Sequence, residues 1–374
     1  MRMGYKTLLC ASFPASFSHP SVTCLPYSHT QTLSSPPTAM SNILTIFGAT
    51  GIQGGSVIRA VRAHPVLSKK FKIRAVTRDI SKPAAQTLVQ QGIEVTAADM
   101  GSRSSLAAAL AGAHTVFLIT LPDMVTGANP GTETEHGKNV ADAAEEAGVQ
   151  HLIFSSLINV TKASAGRLPH VAHFDAKADV EEYIRGKGIP TTFIQPGYYM
   201  TNFTNLGLLR KGEDGSYTLA GPTSPSKALM PLFFADEDMG ESSPNTPIAV
   251  FRPMANTLPL AAGKYVIAAA VNPGKTLNKT IPAAADYYTP TRIVEEFMQV
   301  TGQKGQYVQL DHDVYKGFLP PPIAQEILEN ELLCEDPGFF AGAGLGEGHD
   351  ILAAVGLKAT TWKEFLEGRK ETFV

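Results

Sequence analysis

Three glycines near the start of the chain, Gly48, Gly51 and Gly54, have the spacing of a turn that binds the phosphates of a dinucleotide. A short apolar run precedes them and a predicted helix follows, which is the context that this chemistry requires. The first glycine allows a tight turn, the second lets the backbone approach a pyrophosphate, and the third lets the helix pack closely. The helix N-terminus, with free N–H groups and a favourable dipole, would then hold the phosphates.

The end of the second predicted strand selects the type of cofactor. NAD-binding proteins place a carboxylate there for the ribose hydroxyl, whereas an arginine accommodates the 2′-phosphate of NADP. Arg78 lies at this position, and Lys82 follows four residues later. Asp79 lies one residue beyond the position from which a carboxylate would contact the ribose. The sequence therefore predicts NADP(H). Asp99, after the third strand, would lie where the adenine ring ends.

His173 and Lys177 lie one helical turn apart on a predicted helix. In short-chain reductases a Tyr and a Lys at this spacing act together: the Tyr protonates the carbonyl, while the Lys binds the nicotinamide ribose and lowers the pKa of the Tyr. Here a histidine replaces the tyrosine. Lys177 is the candidate catalytic residue, with a solvated helix lysine as the alternative interpretation, and His173 could relay protons because it titrates near neutrality.

The elements that must position these residues alternate regularly between strand and helix. Apolar runs predict six strands, over residues 43–47, 71–77, 93–97, 115–120, 151–155 and 191–195. Strands that alternate with helices at this spacing predict an α/β fold, a doubly wound parallel Rossmann sheet covered on both faces. Ser155 and Ser156 end the fifth strand and could touch the cofactor. Residues 196–199, after the sixth strand, would pass beside the nicotinamide.

This pattern predicts an NADP(H)-binding domain over 41–196 and a smaller C-terminal α/β domain over 197–374. The segment 241–263 fits neither, since it has four prolines and little periodicity. One interpretation is an irregular surface loop. The other is a retained intron, because its removal would join a helix start at 236–240 to a helical pattern at 264–272.

Residues 1–40 predict a separate, disordered extension, or a start codon placed too early. They contain no Asp or Glu, as is typical of a mitochondrial transit peptide. Five prolines and the scarcity of arginine, however, are not typical of the amphipathic helix of such a peptide. Met40 directly precedes the first strand and would be a natural start.

The composition excludes several classes of protein. A net charge of −3 over 374 residues offers no basic surplus for direct binding of nucleic acid. No apolar run approaches the roughly 20 residues that cross a bilayer. Two of the three cysteines lie in the N-terminal extension, so no disulfide framework is expected and Cys334 is predicted as a small buried hydrophobe. We expect a cytoplasmic protein, with the nucleus as a second location.

Four motifs together resemble the NmrA-like family, a group of atypical short-chain reductases. They are Gly-Ala-Thr-Gly-x-Gln-Gly-Gly (48–55), Val-Thr-Arg (76–78), Ala-Gly-Arg-Leu (165–168) and the long run His-Phe-Asp-x-Lys-x-x-Val-Glu-Glu-Tyr-Ile-Arg (173–185). The likeness is closest to the animal redox sensors of that family and extends over 42–374, apart from 241–263. It implies a domain that senses the NADPH/NADP balance and acts through protein partners, including transcriptional regulators. A homodimer is a further expectation.

The resemblance also implies which residues contact the cofactor. They are Gly48, Ala49, Thr50, Gly51, Ile52, Gln53 and Gly54 in the turn, then Arg78, Lys82, Asp99, Met100, Leu121, Pro122, Asp123, Lys177, Pro196, Gly197, Tyr198 and Tyr199. Residues 121–123, predicted at the nicotinamide end, depart from the more polar, aromatic sequence of those sensors.

Two functions remain open from the sequence. The first is a non-catalytic NADP(H) sensor whose partner binding changes with the redox state of the cofactor. The second is an NADPH-dependent reductase, similar to isoflavone-reductase-like enzymes, in which Lys177 alone supplies the proton. The resemblance favours the sensor, although the reductases also lack the tyrosine.

Overall fold

A parallel sheet forms the centre of the computed structural model, which describes residues 42–122, 130–235 and 261–373. The strands of these residues are β1 (Asn42–Ile46), β2 (Phe71–Thr77), β3 (Glu94–Ala97), β4 (Ala113–Leu118), β5 (His151–Ser155), β6 (Thr191–Pro196), β7 (Tyr198–Tyr199), β8 (Leu209–Lys211), β9 (Tyr217–Gly221), β10 (Met230–Phe233), β11 (Thr280–Ala283), β12 (Asp286–Tyr288) and β13 (Gly305–Gln309). The central sheet has the order β11-β6-β5-β4-β1-β2-β3, and each neighbouring pair is parallel. The strand order reverses between β1 and β4, the position where sheets of this type bind ligands.

Helices connect the strands and cover both faces of the sheet. They are α1 (Ile52–Ala63), α2 (Leu67–Lys70), α3 (Pro83–Gln90), α4 (Arg103–Leu110), α5 (Pro130–Glu146), α6 (Val160–Ala163), α7 (Ala172–Lys187), α8 (Asn202–Asn205), α9 (Ala261–Val271), α10 (Pro273–Thr276), α11 (Pro290–Thr301), α12 (His312–Gly317), α13 (Ala324–Leu332), α14 (Gly346–Ala353) and α15 (Trp362–Glu367). Helix α5 packs between α4 and α7, while α9 packs between α1 and α14.

The side chains of β4 show how the sheet divides two cores. Phe117 belongs to the cluster under α1 and α9, whereas Val116 and Leu118 belong to the cluster under α4, α5 and α7. All three are at most 1% exposed. Alternate residues of a strand point to opposite faces, so a strand apolar at every position is buried on both. The predicted doubly wound Rossmann fold is confirmed.

The C-terminal half contributes to the central sheet, which the sequence did not predict. Strand β11 lies parallel to β6 at the sheet edge. It contains Pro282, which lacks an N–H donor and is tolerated in an edge strand but made the segment a poor strand candidate. The remaining strands form two small sheets, β12-β10-β7 and β13-β9-β8. The boundary at 196 stays a prediction.

Helix α9 meets α1 at a glycine. A Cβ at Gly263 would lie 2.7 Å from the Ser56 carbonyl oxygen, and the Gly263 N–H donates to Ser56 Oγ at 3.0 Å. If residues 241–263 were a retained intron, its removal would place Gly240 directly before Lys264. A glycine would therefore precede Lys264 with or without the segment. The interpretations of 1–40 and of 241–260 concern segments outside the described residues.

Two smaller observations complete the fold. Cys334 is buried, as predicted, and burial raises the pKa of its thiol. None of the helices within the described ranges is long and apolar enough to cross a membrane.

Candidate functional site

The glycine turn links β1 to α1 with the backbone geometry that its sequence predicts. Gly48 has a φ of +63°, and a Cβ there would lie 2.6 Å from the side chain of Ile119. A Cβ at Gly54 would lie 2.2 Å from the Gly48 carbonyl oxygen, so the helix packs directly against the turn. Gly51 is exposed and caps α1 without a side chain to accept from the first N–H groups. These N–H groups are therefore available to an anion.

The loop after β2 presents positive charge to solvent. Arg78 and Lys82 are exposed, and neither pairs with an acid among the described residues. The Asp79 carboxylate instead accepts from the N–H and the hydroxyl of Ser81, at 2.8 and 2.6 Å. These hydrogen bonds lower the pKa of Asp79. Asp79 is thus occupied by Ser81, and the contact of Arg78 with a 2′-phosphate stays a prediction.

The residues predicted at the adenine and nicotinamide ends lie after β3 and β4. Asp99 is exposed and accepts from the Gly101 N–H at 2.9 Å, while Met100 packs against the core. Leu121 is 60% exposed beside the half-buried Pro122. Asp123 lies outside the described residues.

Lys177 is not a solvated helix lysine, because its ammonium group is buried at the end of β4. It forms an ion pair with Glu133 and donates to the carbonyl and hydroxyl oxygens of Thr120, at 2.9 and 3.0 Å. The Thr120 hydroxyl in turn donates to Glu133 at 2.6 Å. Burial lowers the pKa of Lys177, and the neighbouring Glu133 carboxylate opposes that change.

The side chain of His173 contacts a different helix, α13. Its Nδ1 lies 2.5 Å from Oε1 of Glu326 on α13, and its backbone N–H donates to the same oxygen at 3.0 Å. Burial raises the pKa of Glu326, but the hydrogen bonds from His173 outweigh it and the net pKa is lowered. His170 is held in the same way by Glu329, at 2.5 Å. His170 and His173 thus attach the start of α7 to α13, and a role of His173 as a proton relay stays a prediction.

The segment after β6 joins the glycine turn to the C-terminal half. Gly197 is pressed against β10, since a Cβ there would lie 2.1 Å from the Pro231 carbonyl oxygen. Tyr199 accepts a 2.5 Å hydrogen bond from Gln53 Nε2, and burial raises the pKa of this tyrosine to about 12. Tyr198 turns the other way and donates to Glu331 at 3.0 Å. Pro196 is buried at the strand end.

Two residues of the lysine site were missed by sequence reasoning. The sequence places Thr120 only at the end of a predicted strand, and Glu133 is not among the predicted site residues. A signal for Glu133 existed. It lies in the first turn of the helix that follows β4, where the helix dipole stabilises a carboxylate. Ser156, by contrast, is engaged by Glu181 at 2.6 Å. The cofactor contacts themselves stay predictions.

Comparison with known proteins places this geometry in context. A model of the NmrA-like family matches residues 40–366. The NmrA-like family domain-containing oxidoreductase malD of Malbranchea aurantiaca is 32% identical over 279 residues, covering 72% of this chain and 75% of that protein. The oxidoreductase himF of Aspergillus japonicus, described in the same words, is 28% identical over 316 residues, covering 82% and 84%.

Solved structures share the fold. NmrA, a negative transcriptional regulator in complex with NADP, matches with a TM-score of 0.68 and 20% identity, covering 89% of this chain and 97% of that one. The triphenylmethane reductase of Citrobacter sp., complexed with NADP(H), matches with a TM-score of 0.65 and 22% identity, covering 87% and 99%. At these identities the likeness concerns the fold alone.

Proposed function

We propose a function for a chain that belongs to the NmrA-like family: it is an NADPH-dependent oxidoreductase. The observation that carries the proposal is the buried ammonium group of Lys177, which lies at the same sheet edge as the glycine turn and has a lowered pKa. A buried titratable group with a shifted pKa and a charged partner is typical of catalytic sites. Relatives at 32% and 28% identity that are named oxidoreductases support this choice over the sensor that the motifs favoured.

The residues of this edge fit a nicotinamide dinucleotide. The glycine turn would hold the pyrophosphate, because side chains larger than hydrogen do not fit at Gly48 and Gly54 and the N–H groups beyond Gly51 are uncapped. Arg78 would contact the 2′-phosphate, with Lys82 adding positive charge. When bound, the cofactor supplies a hydride, and the chain supplies position and charge.

Lys177 would serve the reaction by holding a positive charge where negative charge develops on the substrate oxygen. Glu133 favours the charged form of the ammonium group in spite of its burial, and Thr120 fixes its position through two hydrogen bonds. A lysine of lowered pKa is also a better proton donor than one in water. To act in this way, Lys177 must release one of its present acceptors.

That requirement supports a second candidate, the NADP(H) sensor acting through protein partners such as transcription regulators. The three N–H groups of an ammonium are matched here by Glu133 and by the two oxygens of Thr120, so the site is saturated without a substrate. In a sensor, Lys177 would hold only the cofactor, and partner binding would follow its redox state.

A single preparation of the chain from Met40 onward distinguishes the two. NADPH and NADH binding are measured by fluorescence, and NADPH oxidation is followed against a panel of ketones and enones. Steady turnover with any member supports the oxidoreductase. Tight NADPH binding without turnover across the panel, together with a partner whose affinity differs between NADPH and NADP⁺, would establish the sensor instead.

A further inference from the structure

The loop between β2 and α3 carries a carboxylate between two cations, yet it forms no ion pair with either. Asp79 directly follows Arg78 and precedes Lys82 by three residues, and all three residues are exposed. Neither cation pairs with an acid within the described ranges. Opposite charges this close along the chain attract each other even in water. Another contact must therefore hold the Asp79 carboxylate.

Ser81 makes that contact. Its N–H and its hydroxyl both donate to one oxygen of the Asp79 carboxylate, at 2.8 and 2.6 Å. These two hydrogen bonds lower the pKa of Asp79 more than the charge of Lys82 does. Hydrogen bonds to an ionised acceptor are stronger than those between neutral groups. Ser81 thus stabilises the Asp79 carboxylate in a position where it uses neither cation as a partner.

The backbone around this contact is fixed as well. Gln86 on α3 donates to the carbonyl oxygen of Ile80 at 2.7 Å. Pro83 is the first residue of α3, and it confines the residue before it to extended conformations, as in Lys82 with a φ of −65° and a ψ of 144°. Because the loop has this arrangement without a ligand, little conformational entropy is lost when a ligand binds.

This arrangement matters for a phosphate but not for a hydroxyl. A guanidinium group makes two parallel bonds to a phosphate only when no carboxylate already occupies it. If Asp79 were released, a pair with Arg78 or Lys82 would have to break before the phosphate bound, and the carboxylate would repel the phosphate. NADH has a ribose hydroxyl at this position and would meet neither penalty.

We propose that Ser81 is a positioning residue that determines the preference for NADPH over NADH. It holds the Asp79 carboxylate away from Arg78 and Lys82, and it thereby keeps both cations available to the 2′-phosphate. The proposal rests on the part of the proposed function that assigns the 2′-phosphate to Arg78. It requires no contact between Ser81 and the cofactor.

The test measures NADPH and NADH affinities of the full chain by fluorescence, at low ionic strength where surface charges are least screened. Ser81→Ala should lower the NADPH affinity by about two- to fivefold, as expected for one exposed ion pair, and leave the NADH affinity unchanged. Ser81→Thr keeps the hydroxyl and should retain the NADPH affinity. Ser68→Ala, which removes an exposed hydroxyl on α2, is the matched control.

A second background shows whether the charge of Asp79 is responsible. Asp79→Asn keeps an oxygen that accepts from Ser81 but removes the negative charge. This variant alone should not weaken NADPH binding, and in its background Ser81→Ala should no longer change the preference for NADPH. A merely structural effect of Ser81 on the loop would be the same in both backgrounds.

Several results would overturn the proposal. They are an unchanged NADPH affinity in Ser81→Ala, an equal loss of NADH affinity, and a loss that persists in the Asp79→Asn background. A selective loss of NADPH affinity in Asp79→Asn alone would have the same consequence, and this variant decides if Ser81→Ala does not fold. Equal affinities of the unaltered chain for NADPH and NADH, or no binding of either, would also contradict the proposal.

The outcome is separable from that of the proposed oxidoreductase, because only cofactor binding is measured. A Ser81 effect without any NADPH oxidation would keep this proposal and defeat the oxidoreductase. NADPH oxidation without a Ser81 effect would keep the oxidoreductase and defeat this proposal.

Discussion

Lys177 and Glu133, 44 residues apart in the chain, form a buried ion pair at the end of β4. Helix α7 brings the lysine and the first turn of α5 brings the glutamate, and these two helices pack against each other on one face of the sheet. Because Thr120 bonds to both side chains, the pair is fixed relative to the strand end. The same edge carries the glycine turn and Arg78.

Gly54→Ala should impair both the turn and cofactor binding. The new Cβ would lie 2.2 Å from the Gly48 carbonyl oxygen, so turn and helix must separate, and we expect a loss of about 1–3 kcal/mol, as for an overpacked site. Gly186→Ala is the matched control, since nothing lies within 4 Å and alanine should stabilise α7 by about 0.5–1 kcal/mol. Urea unfolding and NADPH binding measure both. An unchanged affinity for NADPH in Gly54→Ala would contradict the assigned role of the turn.

Arg78→Ala should remove the preference for NADPH over NADH. The guanidinium group is exposed and unpaired within the described residues, so its loss removes a phosphate contact worth about 1.5–3 kcal/mol without disturbing an internal bond. NADPH affinity should fall by about 10- to 100-fold while NADH affinity stays. Lys72→Ala, at the other end of β2, controls for the lost charge. If the preference for NADPH persists, residues other than Arg78 bind the 2′-phosphate.

His173→Ala should reduce stability and leave NADPH turnover nearly unchanged. It removes the bond to Glu326, at a cost of about 1–3 kcal/mol for a partly buried partner left unsatisfied. His173→Asn, which keeps a donor near the Nδ1 position, should recover part of the stability. Thermal unfolding and steady-state kinetics separate the two effects. A turnover defect at normal stability would return His173 to the role of proton relay.

Glu331 should make the unfolding free energy depend on pH. Its pKa is about 7 in the folded chain and 4.5 is its ordinary value, so its stabilising contribution is present below pH 4.5 and is lost as the pH rises towards 7. Between pH 5 and 8 the unaltered chain should lose about 1–3 kcal/mol relative to Glu331→Gln, a range that allows for its partial exposure. Urea titrations at both pH values give this difference. If the difference in unfolding free energy between the two proteins is the same at both pH values, the pKa of Glu331 is not raised by burial.

The sheet and the turn were predictable because their signals are local. Apolar runs with glycines at fixed offsets specify β1, the turn and α1 without reference to the rest of the chain. The partners of the site residues were not predictable in the same way. Glu133, Glu326 and Glu331 meet Lys177, His173 and Tyr198 across separations of 44, 153 and 133 residues, which no local pattern encodes.

The same reason explains why the partners of His173 and Lys177 on α7 were not predicted. Spacing alone placed His173 and Lys177 on one helical turn and suggested a joint role. Packing adds partners that the spacing does not encode, since α13 supplies a carboxylate to the histidine and α5 supplies one to the lysine. Strand β11 was missed for a related reason, since its pairing with β6 outweighs the poor strand propensity of Pro282.

The most direct measurement of the central claim is NADPH oxidation by a variant without the charge of Lys177. Lys177→Met combined with Glu133→Gln removes both charges together, so that no unpaired charge is left buried. We predict that turnover falls by at least about 100-fold, as for the loss of a general acid, while NADPH still binds. Turnover that survives in the double variant at normal NADPH affinity would contradict the assignment of Lys177 to the reaction.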